Sequence, residues 1–125
     1  MQYKRHEYFR YEFDHQLEAT LQVLLTDGSG ESNPGTCNLL DISPGGTKVS
    51  TEFNLPETRG PLQLRLIFTL FEQPLTIEGE IAWKKPVSDG FQYGIDFIED
   101  PSIEKLIVGE LKLRRQREAE EKAGK

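Results

Sequence analysis

The chain has 125 residues, 29% of them charged, a length that suits one domain able to build a core without disulfides or metals. Its single cysteine, Cys37, excludes an intramolecular disulfide and fits a reducing cytoplasm, and no apolar run approaches the roughly 18 residues of a membrane span, nor does the opening MQYKRHEYFRYEF carry a secretion signal. The net charge of −6 is uneven: residues 17–109 hold six basic and 14 acidic groups and residues 110–125 six basic and four acidic, so the body repels nucleic acid and favours a small anionic ligand held by a few placed donors.

Residues 1–16 read as a polar arm in which Lys4, Arg5 and Arg10 balance Glu7, Glu12 and Asp14. Within it stands Arg5-His6-Glu7-Tyr8-Phe9-Arg10. Arginine suits forked contacts with phosphate and stacking on bases. An extended arm presents His6 and Arg10 on one side, about 13 Å apart at roughly 3.3 Å per residue. Taken alone, the segment reads equally as a solvated tail with Tyr8 and Phe9 tucked against the body. His15 lies beside Asp14 in a polar link, with no second histidine or cysteine nearby to make a metal site.

From residue 17 onward, apolar residues alternate. Leu17, Ala19, Leu21, Val23 and Leu25 share one face of a predicted strand. Asp27-Gly28-Ser29-Gly30 and Asn33-Pro34-Gly35 form a long loop. Thr36–Ser43 follows, apolar on both faces at Leu39, Leu40 and Ile42, and Cys37 reads as an inert strand residue. This strand ends in Asp41-Ile42-Ser43-Pro44-Gly45-Gly46. Asp41 and Ser43 are two apart and point to the same side. Pro44-Gly45 suits a type II turn, and Gly46 bares the backbone. Asp41 can accept two hydrogen bonds from a guanine edge or hold an arginine in place. Alone, the segment is also an ordinary strand-ending turn.

A short strand covers Thr47–Thr51, and a stronger alternation runs through Leu62, Leu64, Leu66, Phe68 and Leu70. After the turn at Glu72-Gln73-Pro74, Leu75, Ile77, Ile81 and Trp83 continue the period, with Gly79 among them. Trp83 reads as core or rim packing, with a rim position able to cover a ligand. Lys84 and Lys85 offer some local positive charge. Ser88-Asp89-Gly90 marks a hairpin into Phe91, Tyr93, Ile95 and Phe97. Six short antiparallel strands with close turns predict a small closed barrel. At Asp100-Pro101 the period becomes helical: Ile103, Leu106, Ile107 and Leu111 form one stripe to pack on the barrel. Beyond Leu113 the stripe ends, which predicts a solvated or frayed helix end rather than a basic binding face.

RHEYFR before the first strand and DISPGG after the second, in that order, resemble the PilZ domain family, which pairs an RRxxxR arm with a D/NxSxxG segment. GEIAW (Gly79–Trp83), FQYGIDF (Phe91–Phe97) and the terminal helix extend the likeness over nearly the whole chain. The resemblance implies a mainly β fold, a six-stranded antiparallel PilZ-type β-barrel with a C-terminal α-helix. The arm would occupy 1–16, the barrel 17–99 and the helix 100–125, all within one domain. It implies cyclic di-GMP held between arm and rim, with Arg5, His6 and Arg10 on phosphates and guanine faces. Asp41, Ser43 and Gly46 would contact guanine and shape the rim.

His6 stands where the family pattern has its second arginine. One lost charge-assisted contact costs on the order of 1.5–3 kcal/mol, about ten- to a hundredfold in affinity. No nucleophile, base and oxyanion set is visible, so an enzyme is not expected, and no cofactor or metal is implied. The implied role is a cytoplasmic receptor that orders its arm on ligand and regulates an unidentified effector protein, without binding a nucleic acid polymer or inserting in a membrane. The alternative is a PilZ-like interaction module that has lost the ligand.

Overall fold

A computed structural model describes residues 10–25, 30–31, 34–55 and 62–123; Arg5 and His6 lie outside them. Along the chain run β1 (Tyr11–Leu25), β2 (Gly30–Glu31), β3 (Gly35–Ser43), β4 (Gly46–Thr51), β5 (Gln63–Thr69), β6 (Pro74–Val87), β7 (Gly90–Phe97) and α1 (Pro101–Ala123). Every strand pairing is antiparallel. The long β1 pairs with β3 on one side and β5 on the other, so β1-β3-β4-β7-β6-β5 closes into a six-stranded barrel. The two-residue β2 pairs with Leu24 and Leu25 at the end of β1.

The alternating residues fill the barrel as their period requires. Leu39, Ile42, Val49, Leu64 and Leu66 are fully buried, each contributing roughly 1.5–3 kcal/mol by leaving water. Tyr93 is also inside; its hydroxyl donates to the Phe53 carbonyl (3.0 Å) and accepts from the Leu55 N–H (2.8 Å), which plugs one barrel end without an orphaned polar group. Cys37 is buried among these residues, and burial pushes its thiol up to about 12.

Three bulges account for where the pattern and the fold part company. Strand β1 begins at Tyr11, six residues ahead of Leu17, because Tyr11 and Phe13 belong to the core and meet edge to face at 5.0 Å. Between Glu12 and Leu17 the register against β3 shifts, and His15 is carried outward. A second shift falls between Leu39 and Asp41, and a third between Ile81 and Trp83. The third turns Trp83 out of the barrel: it is 44% exposed, whereas Leu75 and Ile77 are buried.

Residues Pro44 and Gly45 form a two-residue turn between β3 and β4, but not a type II turn. Gly90 alone among the described residues has positive φ, and the Gly45 carbonyl is fixed by the Phe97 N–H at 2.9 Å. At Gly90, φ of +154° and the Thr51 carbonyl 2.6 Å from a built Cβ leave no room for a side chain.

Helix α1 starts as its sequence directs. One Asp100 carboxylate oxygen accepts the Ser102 N–H (3.0 Å) and hydroxyl (2.8 Å), and these bonds hold its carboxyl below the usual range. Ile107 and Leu111 are fully buried against the barrel, and Ile103 packs partly. Leu106, expected in the same stripe, is exposed. Glu110, 4% exposed, accepts the backbone N–H groups of Phe71, Glu72 and Gln73 at 3.0, 2.8 and 3.1 Å, tying the helix to the β5–β6 turn.

Nor does the helix fray after Leu113. It continues to Ala123, and Arg114 is bound: it donates to the Leu70 carbonyl (2.6 Å) and the Tyr11 hydroxyl (3.2 Å) and lies 5.0 Å from the Phe13 ring centre. Tyr11 donates in turn to Glu118 at 2.5 Å. Burial, and then the Glu118 carboxylate, raise the Tyr11 hydroxyl above its ordinary value. No helix is long and apolar enough to cross a membrane among the described residues.

Candidate ligand site on the barrel's outer face

Antiparallel pairing places side chains in rows across a sheet. On the outer face one row runs Glu12, Asp41, Lys48, Gly94 and Trp83, each opposite the next on β1, β3, β4, β7 and β6. From Asp41 to Trp83 it crosses three inter-strand gaps, roughly 14 Å. Asp41 is only 5% exposed. Its Oδ1 accepts Arg10 Nη1 at 2.6 Å, and Lys48 Nζ lies 3.9 Å from Oδ2. Arg10, whose side chain is 36% exposed, is thus fixed through Nη1 on Asp41.

At the other end of the row the backbone of Gly94 forms a bare floor. A Cβ there would fall on the indole of Trp83, so the ring lies flat over the glycine. With Arg10 beside it, the row offers two cations, the carboxylates of Glu12 and Asp41, and an aromatic face. That combination can hold phosphates by charge and a purine by stacking and edge hydrogen bonds.

The next row along the strands holds Ser43, Gly46, Asp96 and Glu80. Ser43 is fully buried; its hydroxyl accepts the Gly45 N–H (3.3 Å) and donates to the Gly46 carbonyl (3.4 Å). A Cβ at Gly46 would stand 2.5 Å from the Ile95 carbonyl. Both residues therefore hold the turn close to β7, and Thr47 braces it by donating to the Asp41 carbonyl at 2.5 Å.

Of the six residues singled out in the sequence, Arg10, Asp41, Ser43 and Gly46 come together here. Arg5 and His6 lie outside the described residues. Lys48 and Gly94 join Asp41 on the same row. Lys48 was within reach of the sequence, since a two-residue turn after Ser43 puts residue 48 opposite residue 41. Trp83 depended on a bulge that no spacing announces. Lys84 is engaged elsewhere, with Asn54, the Leu55 carbonyl and the Phe91 ring. No group of three or more potential metal ligands occurs among the described residues.

The sequence profile of the PilZ domain matches residues 3–113. No protein of curated function matches the chain in sequence. Among solved structures, the chain is similar to the PilZ domain of YcgR from Escherichia coli, solved with c-di-GMP: 18% identity, TM-score 0.64, covering 99% of both chains. It is similar as well to the c-di-GMP complex of MrkH from K. pneumonia: 18% identity, TM-score 0.63, covering 94% of this chain and 56% of that one. The third is the Bacillus subtilis inhibitor of motility MotI/DgrA: 19% identity, TM-score 0.62, covering 94% and 53%. At such identities the likeness is one of fold, and the profile match over most of the length makes this chain a member of the PilZ domain family.

Proposed function

We propose that this chain is a non-enzymatic receptor for cyclic di-GMP, acting in the cytoplasm to regulate a partner protein. The observation that carries the proposal is the Arg10–Asp41 pair at 2.6 Å, set at one end of an outward row that ends in Gly94 and Trp83. Arg10 and Lys48 would meet the ligand's phosphates and Asp41 a guanine edge, while Trp83 stacks on a base. Ser43 and Gly46 keep the rim in shape. By the family pattern, Arg5 and His6 close over the ligand from the arm, ordering residues 1–9. The acidic body supports a compact dianion in place of a nucleic acid strand.

A second reading, a PilZ module that has lost the ligand, is favoured by His6 at an arginine position. Isothermal titration with cyclic di-GMP at pH 6 and pH 8, with GTP and cyclic AMP as controls, separates the two. Selective binding lost in Arg10→Ala and Asp41→Ala supports the receptor. No binding by folded protein at either pH leaves the ligand-free module. Limited proteolysis of the arm tests its ordering: equal cutting with and without ligand counts against that part.

A further inference from the structure

The outward face of α1 carries a feature that the barrel does not use. Leu106 and Leu113 are 37% and 41% exposed, and Gly109 lies between them. At three and four residues' spacing these three share one stripe, flanked by Lys105, Lys112 and Gln116, all exposed. A Cβ at Gly109 would meet nothing within 4 Å. Glycine in a helix interior costs about 1 kcal/mol relative to alanine, and no contact among the described residues accounts for it here. What a glycine between two leucines permits is the close approach of a second backbone.

We propose that this face docks an acidic amphipathic helix of a partner protein, with its apolar residues on Leu106 and Leu113, its backbone over Gly109, and its carboxylates toward Lys105 and Lys112. Charge selects this occupant. The stripe from Ser102 to Gln116 carries two lysines and no acid, although the body is strongly acidic. A second copy is disfavoured, since antiparallel pairing about Gly109 brings Lys105 of each helix beside Lys112 of the other. The face is also rigid, because Glu110 and Arg114 fix the opposite side of the helix to the barrel. One helix face buries less than a standard interface, which suits a reversible contact. The proposal supplies the partner contact of the adaptor reading and rests on it. Its test needs no cyclic di-GMP, so a failure of ligand binding and a failure of this surface are told apart.

The probe is a fluorescent amphipathic helical peptide of about 20 residues, with leucines on one face flanked by glutamates, read by anisotropy. A matched peptide with lysine for glutamate is the control. The full chain should bind the acidic peptide about tenfold more tightly than the basic one, and K105E/K112E should invert that preference. Gly109→Ala should raise the melting temperature yet weaken peptide binding several-fold, and Gly109→Trp should abolish binding in a folded chain. Equal binding of both peptides, unimpaired binding by Gly109→Trp, or self-association lost in Leu113→Glu on sedimentation would overturn the proposal.

Discussion

Replacing Glu110 should loosen the whole domain, although it touches no ligand. One of its oxygens accepts three backbone N–H groups, from Phe71, Glu72 and Gln73, and the residue is 4% exposed. A hydrogen bond to a charged acceptor contributes about 1.5–3 kcal/mol, but three donors sharing one oxygen do not add in full. Alanine leaves those donors without their acceptor and should cost roughly 3 kcal/mol. Unfolding entropy near 2.1 cal/mol/K per residue makes that a fall of about 11 °C in melting temperature for a chain of this length. Glutamine keeps a neutral acceptor in place and should lose roughly 1 kcal/mol, about 4 °C. Thermal melts followed by circular dichroism, with urea titrations beside them, read both variants. An alanine variant melting within about 3 °C of the parent, or glutamine and alanine behaving alike, would refute the idea that this carboxylate docks the helix.

Other expectations concern the ligand face and the core. If protonated His6 contacts phosphate, the protein takes up a proton at His6 on binding, so affinity is highest below histidine's ordinary pKa near 6.5 and falls as pH rises through it, by at most about 25-fold between pH 6 and 8. His6→Arg should tighten binding and flatten this dependence; unchanged titration curves would place His6 away from the ligand. Gly94→Ala must displace the Trp83 indole. It should shift tryptophan fluorescence and weaken cyclic di-GMP binding about tenfold or more, while costing under about 1 kcal/mol in stability because the ring, 44% exposed, lies outside the core. Cys37, its thiol pushed up to about 12, should resist an aromatic disulfide reagent at pH 8 until the chain is unfolded in urea. Rapid labelling of folded protein would show that the barrel opens at β3.

Strands were legible where alternation and burial coincide, as from Leu62 to Leu70 and from Phe91 to Phe97. The helix start at Asp100-Pro101 was equally plain, because a cap acts through local chemistry. The beginning of β1 was not, since charged residues surround Tyr11 and Phe13 and their burial depends on α1 arriving from the far end of the chain. Bulges hide for another reason: an inserted residue leaves the sequence looking periodic while it swaps the faces beyond it, as at Trp83. The site was half legible. Asp41 and Ser43 fell on one side by parity, whereas the row that joins Asp41 to Trp83 exists only once four strands are aligned.

The order of the strands also bears on how the chain reaches this state. Strand β4 finds its second neighbour in residues 91–96, and β1 finds its own in residues 64–67, each more than 35 positions away. Such separations place folding in the slow, milliseconds-to-seconds range of small β-proteins. A nascent chain that has not yet made β7 holds β4 paired on the β3 side alone, and α1 comes later still. The helix residues that clasp Tyr11, Arg114 and Glu118, are made more than 100 residues after it. A chain cut before Gly90, lacking β7 and α1, should collect as aggregate, even though Arg10, Asp41, Ser43, Gly46, Lys48 and Trp83 are all within it.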